Sequence, residues 1–290
     1  MIEATLYTDA GCPWAYSANP ALRVLEWRFR EQLSWRLVMI GLREDASEAA
    51  LRTFDPDASL ARWHRFGERY GMPFATQPKP RPSGTGRGCR AVVAAFLDEP
   101  GSEWRVFRTL QLGYFTTDLL LDDAESIGRA LDGVPRGAGI AGRLDDEDVV
   151  AEYDRQRSEA QSAENTPAHA QDKTTSSDGH IRYTAPSVLF RRGDEAAYAG
   201  GWQPLLGYDT LLANFAPDLE RTPPPDSPEP LLEFFPFGLT TAEVAMLLAR
   251  GSDPWPDRAA ARELLDELVA AGSARRTEVG TDAVWSRADP

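Results

Sequence analysis

The segment Met1-Ile-Glu-Ala-Thr-Leu-Tyr-Thr-Asp-Ala-Gly-Cys-Pro-Trp14 decides the fold of this chain. Its residues 2–7 predict a short strand, and residues 9–14 predict a loop that turns into a helix. Pro13 fits the first helical turn, where the backbone N–H that proline lacks has no partner. Apolar residues then recur at helical spacing as far as Phe29, and residues 34–40 predict a second strand. These elements predict a parallel β-α-β unit at the start of the chain.

Beyond residue 45 the pattern becomes mainly helical. Helical segments are predicted over residues 59–70, 87–97, 103–114, 124–131 and 147–160, and the polar stretch 161–180 predicts a solvated loop. Strands return over residues 183–190 and 196–199, followed by a helix over residues 204–215. We therefore expect an α/β domain made of residues 1–45 and 175–220, with an inserted helical domain at residues 46–174.

The last part of the chain predicts a separate small module. Residues 221–230 contain five prolines and predict a stiff linker. Thr240 and Glu243 have the spacing of a capping box that opens a helix, and a second helix with apolar residues at 264, 265, 268 and 269 ends at Gly272. Residues 274–278 and 283–286 flank Gly280 as the strands of a hairpin do. Two helices and a hairpin predict a winged-helix-like module over residues 231–290.

The charge of the chain disfavours nucleic acid and anionic membranes as partners. Its 290 residues carry a formal net charge of −14, which repels phosphate backbones and anionic membranes. Residues 231–290 contain six arginines, no lysine and ten acidic residues, so we expect this module to dock a protein rather than DNA. No apolar run is long enough for a membrane span, and residues 1–14 lack the features of a secretory signal. The sequence therefore predicts a cytoplasmic protein with no membrane or nucleic-acid partner.

Cys12 and Cys89 are the two cysteines of the chain, too few for a disulfide-stapled fold. The three histidines share no metal-ligand spacing with them, so no metal site is predicted. A cysteine at a helix start meets unpaired backbone N–H groups and the positive end of the helix dipole, which favour the thiolate. We therefore expect a lowered pKa for Cys12 and faster alkylation of Cys12 than of Cys89. A buried cysteine that acts as a small hydrophobe is the plainer interpretation.

Two motifs far apart in the sequence resemble one known family. Cys12-Pro-Trp-Ala15 at a helix start, together with Thr184-Ala185-Pro186 just before a strand, resembles the DsbA family, especially its FrnE-like cytoplasmic branch. Kappa-class glutathione transferases and 2-hydroxychromene-2-carboxylate isomerases share that fold. The segment from Gly201 to Pro204 adds to the resemblance, which covers residues 1–220.

The resemblance implies a thioredoxin fold with an inserted helical domain and a cis peptide bond before Pro186. It implies that Cys12 is the catalytic residue and that the substrate platform consists of Pro13, Trp14, Thr184, Ala185 and Pro186. In such proteins the backbone before the proline pairs with an extended peptide or a small thiol. No tightly bound cofactor is expected, and glutathione or another low-molecular-weight thiol is the expected co-substrate.

The sequence departs from the redox-active pattern at Ala15, which stands where the second cysteine of C-x-x-C belongs. Without that thiol, a mixed disulfide on Cys12 cannot be released internally by the usual route. Cys89 is a candidate for a substitute resolving thiol, and the other interpretation is a core cysteine on the helix over residues 87–97. Ala15 and Tyr16 are closer to the transferase and isomerase branch, whereas Cys12 is closer to the redox branch.

Three functions stay open on the sequence alone. The first is a thiol–disulfide oxidoreductase that uses Cys12 together with a low-molecular-weight thiol. The second is a glutathione-type transferase or isomerase for an apolar molecule, in which Cys12 positions a ligand and exchanges nothing. The third is a redox-inactive binding protein that uses the cleft and the C-terminal module to hold partners.

Overall fold

A computed structural model describes residues 1–177, 179–251 and 256–288. Strands and helices are numbered separately along the chain. Within the described residues the strands are β1 (Ile2–Thr8), β2 (Leu33–Met39), β3 (Thr174–Ser177), β4 (His180–Tyr183), β5 (Ser187–Arg192), β6 (Glu195–Gly200), β7 (Leu239–Thr240), β8 (Ala274–Val279) and β9 (Asp282–Arg287).

The central sheet has the strand order β2-β1-β5-β6. β1 pairs in parallel with β2, with Ile2 opposite Leu33, and in antiparallel fashion with β5. The parallel pair needs a crossover, which α1 (Pro13–Ser17) and α2 (Asn19–Phe29) supply. The predicted β-α-β unit is therefore present, and the sheet it starts is mixed, because β5 runs antiparallel to β1.

The helices between β2 and β3 lie close to where the apolar periodicity predicts them. They are α3 (Glu48–Thr53), α4 (Pro56–Tyr70), α5 (Gly86–Asp98), α6 (Glu103–Thr116), α7 (Ala124–Ala130), α8 (Gly137–Gly142), α9 (Glu147–Ala160) and α10 (Pro167–Ala170). We call residues 46–173 the helical segment. The short helices α3, α8 and α10 were not predicted, because four to six residues are too few to show a helical repeat.

The prediction of a plain loop over residues 161–180 is wrong. This stretch contains α10 and β3, and β3 forms a two-stranded antiparallel sheet with β4. The third strand of the central sheet accordingly begins at Ser187 instead of residue 183, and Tyr183 belongs to β4. Polar strands such as β3, Thr-Thr-Ser-Ser, carry no alternation of apolar and polar residues from which they could be recognised.

The C-terminal segment, defined here as residues 229–288, packs against the rest of the chain. It contains α12 (Glu229–Phe234), α13 (Thr241–Leu248), α14 (Arg258–Ala270) and a three-stranded sheet in the order β7-β9-β8; α11 (Leu205–Phe215) precedes it. The capping box of Thr240 and Glu243 is present in both directions, and Gly272 has a φ of 75°, the left-handed conformation that ends many helices.

A buried ion pair connects the C-terminal segment to the helical segment. Arg108 on α6 donates to both carboxylate oxygens of Glu243, over 2.8 and 2.7 Å, and to the carbonyl of Gly238 over 2.8 Å. Both side chains are less than a tenth exposed. Removing one partner of such a pair costs about 3–5 kcal/mol, because the other charge is left buried. Arg108 and Glu243 therefore depend on the contact between the two segments to neutralise each other.

The proline-rich stretch before it runs along α2. Thr222 donates its backbone N–H to the carbonyl of Arg28, and the indole of Trp27 donates to the carbonyl of Pro223 over 2.9 Å. The predicted linker is therefore held against the domain that it leaves.

Candidate functional site

Cys12 lies where β1 gives way to the first helix. It is the residue before α1, with an extended backbone, and its N–H donates to the carbonyl of Asp9 over 3.2 Å. Pro13 occupies the first position of α1, as the sequence predicts. The side chain of Cys12 is only 4% exposed, so the sulfur lies just beneath the surface.

The sulfur of Cys12 meets the backbone before Pro186, although 173 residues separate the two in sequence. Its Sγ donates to the carbonyl oxygen of Ala185 over 3.2 Å. The Ala185–Pro186 peptide bond is cis. The fold thus brings together Cys12, Ala185 and Pro186, three of the residues that the sequence analysis selected.

A hydrogen-bond network fixes the backbone on both sides of Pro186. The hydroxyl of Ser187 donates to the carbonyl of Thr184 over 2.6 Å and accepts from the hydroxyl of Tyr198 over 2.8 Å. The hydroxyl of Thr184 donates to the carbonyl of Lys173 over 3.2 Å. Satisfied polar contacts of this kind hold the backbone in one conformation, so the carbonyl of Ala185 is a fixed acceptor in front of Cys12.

Asp9 organises the loop that carries Cys12. Its buried carboxylate accepts from the backbone N–H of Gly11 and of Leu42, each over 2.8 Å, and from the hydroxyl of Thr85 over 2.7 Å. A Cβ at Gly11 would lie 2.5 Å from a methyl carbon of Thr85, so the loop is packed too closely for a larger residue there. Asp9 therefore ties the Cys12 loop to the end of β2 and to the start of α5.

The expected lowering of the Cys12 pKa is wrong for this structure. Burial raises the pKa of Cys12 to about 12. The backbone N–H groups of Ala15 and Trp14 and the charge of Arg182 act in the opposite direction, and the carboxylate of Asp9 raises the pKa further. The helix start therefore has the expected effect on Cys12, but the loss of water outweighs it. The hydrogen bond to a carbonyl agrees, because only the protonated thiol can donate it.

Cys89, the candidate resolving thiol, lies within the core on α5. Its side chain has no exposed surface, and its Sγ donates to a carboxylate oxygen of Asp9 over 3.6 Å. Burial and the charge of Asp9 raise its pKa well above the ordinary value. Neither cysteine forms a disulfide. The carboxylate of Asp9 thus raises the pKa of both cysteines.

Aromatic rings surround the exposed face of the helix start. Trp14 is 43% exposed, and its ring packs edge-on against Phe66 and Tyr70 of α4, with centroids 5.0 and 5.7 Å away. Tyr70 in turn packs against Trp202. Trp14 therefore presents a partly exposed ring two residues after Cys12, and this ring can contact an apolar part of a ligand.

Sequence reasoning missed several residues that hold this site. Thr85 and Ser187 act through single hydroxyl groups, and Arg182 acts through its charge on Cys12. Such roles depend on contacts between distant parts of the chain, and a single hydroxyl or guanidinium gives no periodic signal. Within the described residues no cluster of three histidines, cysteines or acidic residues could hold a metal ion. In that same part of the chain, no helix has the length and apolar character needed to cross a membrane.

Comparisons with known proteins identify the fold. No protein-family profile matches the sequence, and a search of curated proteins finds no match. Among solved structures, a candidate protein disulfide isomerase from Nitrosomonas europaea matches with a TM-score of 0.55 and 16% identity, covering 74% of this chain and 97% of that one. The cytosolic disulfide reductase DsbM from Pseudomonas aeruginosa matches with a TM-score of 0.52 and 14% identity, covering 73% and 98%. The same reductase with GSH matches with a TM-score of 0.49.

The first two of these likenesses show that the chain has a DsbA-like thioredoxin fold. The resemblance noted in the sequence is thereby confirmed at the level of fold.

Proposed function

We propose that this chain is a thiol–disulfide oxidoreductase that works with one thiol, Cys12, and a low-molecular-weight thiol of the glutathione type. The observation that carries the proposal is the 3.2 Å contact between Cys12 Sγ and the carbonyl of Ala185, beside Pro186. In this arrangement the Cys12 thiol lies beside the backbone of Ala185, which can pair with an extended ligand. An extended peptide or small thiol that lies on this edge brings its sulfur to Cys12.

Ligand binding is what makes Cys12 reactive in this proposal. In the free protein the thiol is neutral, and its hydrogen bond to Ala185 satisfies both groups. A ligand that donates its own backbone N–H to the carbonyl of Ala185 displaces the thiol from that acceptor. The sulfur then keeps the N–H groups of Ala15 and Trp14, which favour the thiolate.

The exchange cycle needs two external sulfur compounds. The Cys12 thiolate attacks one sulfur of a disulfide; a new S–S bond forms on Cys12, and the other sulfur leaves as a thiolate. A small thiolate then attacks the sulfur of the substrate half in that mixed disulfide and frees Cys12. In the net reaction, one sulfur of the substrate disulfide is released as a thiolate. The other sulfur ends in a mixed disulfide with the small thiol, which is thereby oxidised.

The external thiol is necessary because the chain has no suitable internal one. Ala15 occupies the position of the usual second cysteine. Cys89 is fully buried and hydrogen-bonded to Asp9, which supports a structural role for it. The small thiol must therefore come from solution, and activity should depend on its concentration.

A second function is favoured by the protonated state of Cys12. A neutral S–H that points at an acceptor can donate a hydrogen bond to the thiolate of a bound small thiol and stabilise it. Cys12 would then position the ligand for transfer to an apolar molecule, as expected for a glutathione-type transferase or isomerase. The apolar surface formed by Trp14, Phe66 and Tyr70 supports this candidate.

A pair of substitutions separates these functions. Exchange needs sulfur, so Cys12→Ser and Cys12→Ala should both abolish the reduction of a glutathione-mixed disulfide. A donor role needs only an X–H group, so Cys12→Ser should retain thiol transfer to an electrophilic aromatic substrate and Cys12→Ala should lose it. If the wild-type chain performs neither reaction, the protein is the redox-inactive binding protein, and both enzymatic proposals are wrong.

The remaining predictions concern the surroundings of this activity. We place the protein in the cytoplasm, where glutathione-type thiols are abundant and reduced. The helices α13 and α14 with the β8–β9 hairpin support a winged-helix-like module, and its negative charge supports docking of a protein over nucleic acid.

A further inference from the structure

A cavity of about 460 Å³ lies where three parts of the chain meet. Its walls come from α2 and the start of β2, from the beginning of α6, and from the loop after α12. Leu33, one of its lining residues, pairs with Ile2 at the amino end of β1, whereas Cys12 follows the carboxyl end of that strand. The cavity is therefore at the opposite end of the sheet from the Cys12 site.

The cavity has the size and the walls of a small-molecule site. Binding pockets for small ligands have volumes of about 300–1,000 Å³ and apolar, aromatic walls. Five aromatic side chains line this one: Trp35, Trp104, Phe234, Phe235 and Phe237. Phe234 and Phe237 are 37% and 38% exposed, although phenylalanine is usually buried. Exposed rings beside a cavity are typical of a surface that a ligand covers.

Each of the two exposed rings carries a guanidinium group. Arg30 lies 4.8 Å from the ring centre of Phe234, and Arg105 lies 4.6 Å from that of Phe237. Such stacking holds the charged group close to the ring while its N–H edge stays available to a partner. The rim therefore combines aromatic faces with fixed positive charge.

Arg30, which lines the cavity, and Arg105, which stacks on the lining residue Phe237, differ from the lining arginines Arg23 and Arg108. Within residues 1–177, 179–251 and 256–288 neither Arg30 nor Arg105 forms an ion pair, whereas Arg108 is held by Glu243 and Arg23 by Glu26. Arg30 donates its Nε to the hydroxyl of Thr222 over 3.2 Å. Glu31 also lines the cavity, but it forms no ion pair with Arg30 within the described residues, so the guanidinium of Arg30 has no carboxylate partner there.

We propose that this cavity binds a small planar aromatic molecule that carries one acidic group, such as an aromatic carboxylate. The ring system packs among Trp35, Trp104 and the exposed phenylalanines. The acidic group meets the N–H edges of Arg30 and Arg105, which are suited to planar anions. Because the walls come from three parts of the chain, the bound molecule also strengthens the docking of the C-terminal segment.

Two fluorescent probes of the same shape test the proposal on the full chain. Anilinonaphthalene sulfonate carries an acidic group, and phenylnaphthylamine is its neutral counterpart. We expect one molecule of the sulfonate to bind per chain, about five- to tenfold more tightly than the neutral probe. Arg30→Gln should remove that preference, and Phe237→Ala should weaken both probes. Leu206→Ala is the control, because Leu206 is an exposed leucine on α11 outside the cavity. It should leave the affinities for both probes unchanged.

Several results would overturn the proposal. Equal affinity for the two probes would show that the cavity does not recognise an acidic group. Unchanged binding in both Arg30→Gln and Phe237→Ala would show that the probe binds elsewhere, and loss of binding in Trp14→Ala would place it beside Cys12. If sedimentation shows a dimer that excludes the probe, the cavity is a contact between two copies of the chain. Circular dichroism and thermal unfolding establish that each variant is folded before its binding is compared.

Discussion

The surroundings of Cys12 and Cys89 differ in one respect that matters for reactivity, although both thiols are buried and protonated. Cys12 donates to the backbone carbonyl of Ala185, two residues before β5 begins, and lies two residues before the partly exposed Trp14. Cys89 donates to a buried carboxylate inside the core. A ligand can compete for the first acceptor, whereas none can reach the second without unfolding α5. Burial alone therefore does not decide which cysteine reacts; the accessibility of its hydrogen-bond partner does.

The largest effect is expected from removing each thiol in turn. Cys12→Ala should reduce exchange activity by at least ~10³-fold, because no other group supplies the nucleophile. Cys89→Ala should leave activity unchanged and lower the free energy of unfolding by about 1 kcal/mol, from the lost packing of one buried sulfur. Steady-state kinetics and urea unfolding measure the two effects. If Cys89→Ala is folded but inactive, Cys89 is the resolving thiol, and the conclusion that only Cys12 reacts is wrong.

A second thiol beside Cys12 should change the dependence on small thiols. Ala15→Cys places a cysteine three residues after Cys12 on the first helical turn, where it can attack a mixed disulfide. The variant should reduce a protein disulfide without added glutathione about tenfold faster than wild type does. Ser17→Cys adds a thiol to the same helix at a position that cannot reach Cys12, and it should behave like wild type. Equal, undetectable turnover in all three proteins would indicate that the site has lost redox chemistry.

Asp9, whose carboxylate raises the pKa of both cysteines, should contribute to how easily Cys12 ionises. Asp9→Asn removes a negative charge that raises the pKa of Cys12, so that pKa should fall. Each unit of decrease raises the thiolate fraction about tenfold, and alkylation of Cys12 at a fixed pH below its pKa should accelerate accordingly. Asp122→Asn is the matched control. Like Asp9, Asp122 accepts a hydrogen bond from a backbone N–H, that of Gly84, and it also accepts one from Arg81. Equal acceleration in both variants would point to a general loosening of the structure instead.

The raised pKa of Cys12 should also make the stability of the protein depend on pH, although only at high pH. The folded-state pKa of Cys12, about 12, lies above the ordinary value of 9.0 that applies in the unfolded chain. The unfolded chain therefore loses this proton first, so the stabilisation is complete below pH 9 and is lost as the pH rises towards 12. The loss is roughly 1 kcal/mol per pH unit. In urea unfolding, the free energy of unfolding should decline more steeply with pH for wild type than for Cys12→Ala. The buried tyrosines contribute equally to both proteins, so the difference reports Cys12. Parallel curves would contradict the raised pKa.

The sequence predicted the β-α-β start of the central sheet, and the resemblance to the DsbA family placed Pro186 beside Cys12, but neither indicated the protonation state of the Cys12 thiol. The C-P-W and A-P motifs are local signals that fix where a helix starts and where a strand is entered, and the fold brings them together. The pKa of Cys12 instead depends on how much water the surrounding segments remove, which no local pattern encodes. The β3–β4 hairpin and the cavity beside Phe237 were missed for the same reason: polar strands have no periodicity, and a cavity between three segments exists only after they pack.

The most direct test of this account follows the ionisation of Cys12 with and without a ligand that cannot react. Thiolate absorbance in the ultraviolet, taken as the difference between wild type and Cys12→Ser, reports Cys12 alone. The account predicts a pKa well above the ordinary thiol value in the free protein, and a lower pKa when S-methylglutathione occupies the edge at Ala185. An ordinary or lowered pKa in the free protein, or a raised pKa that saturating S-methylglutathione leaves unchanged, would contradict the claim that the ligand releases Cys12 from its carbonyl.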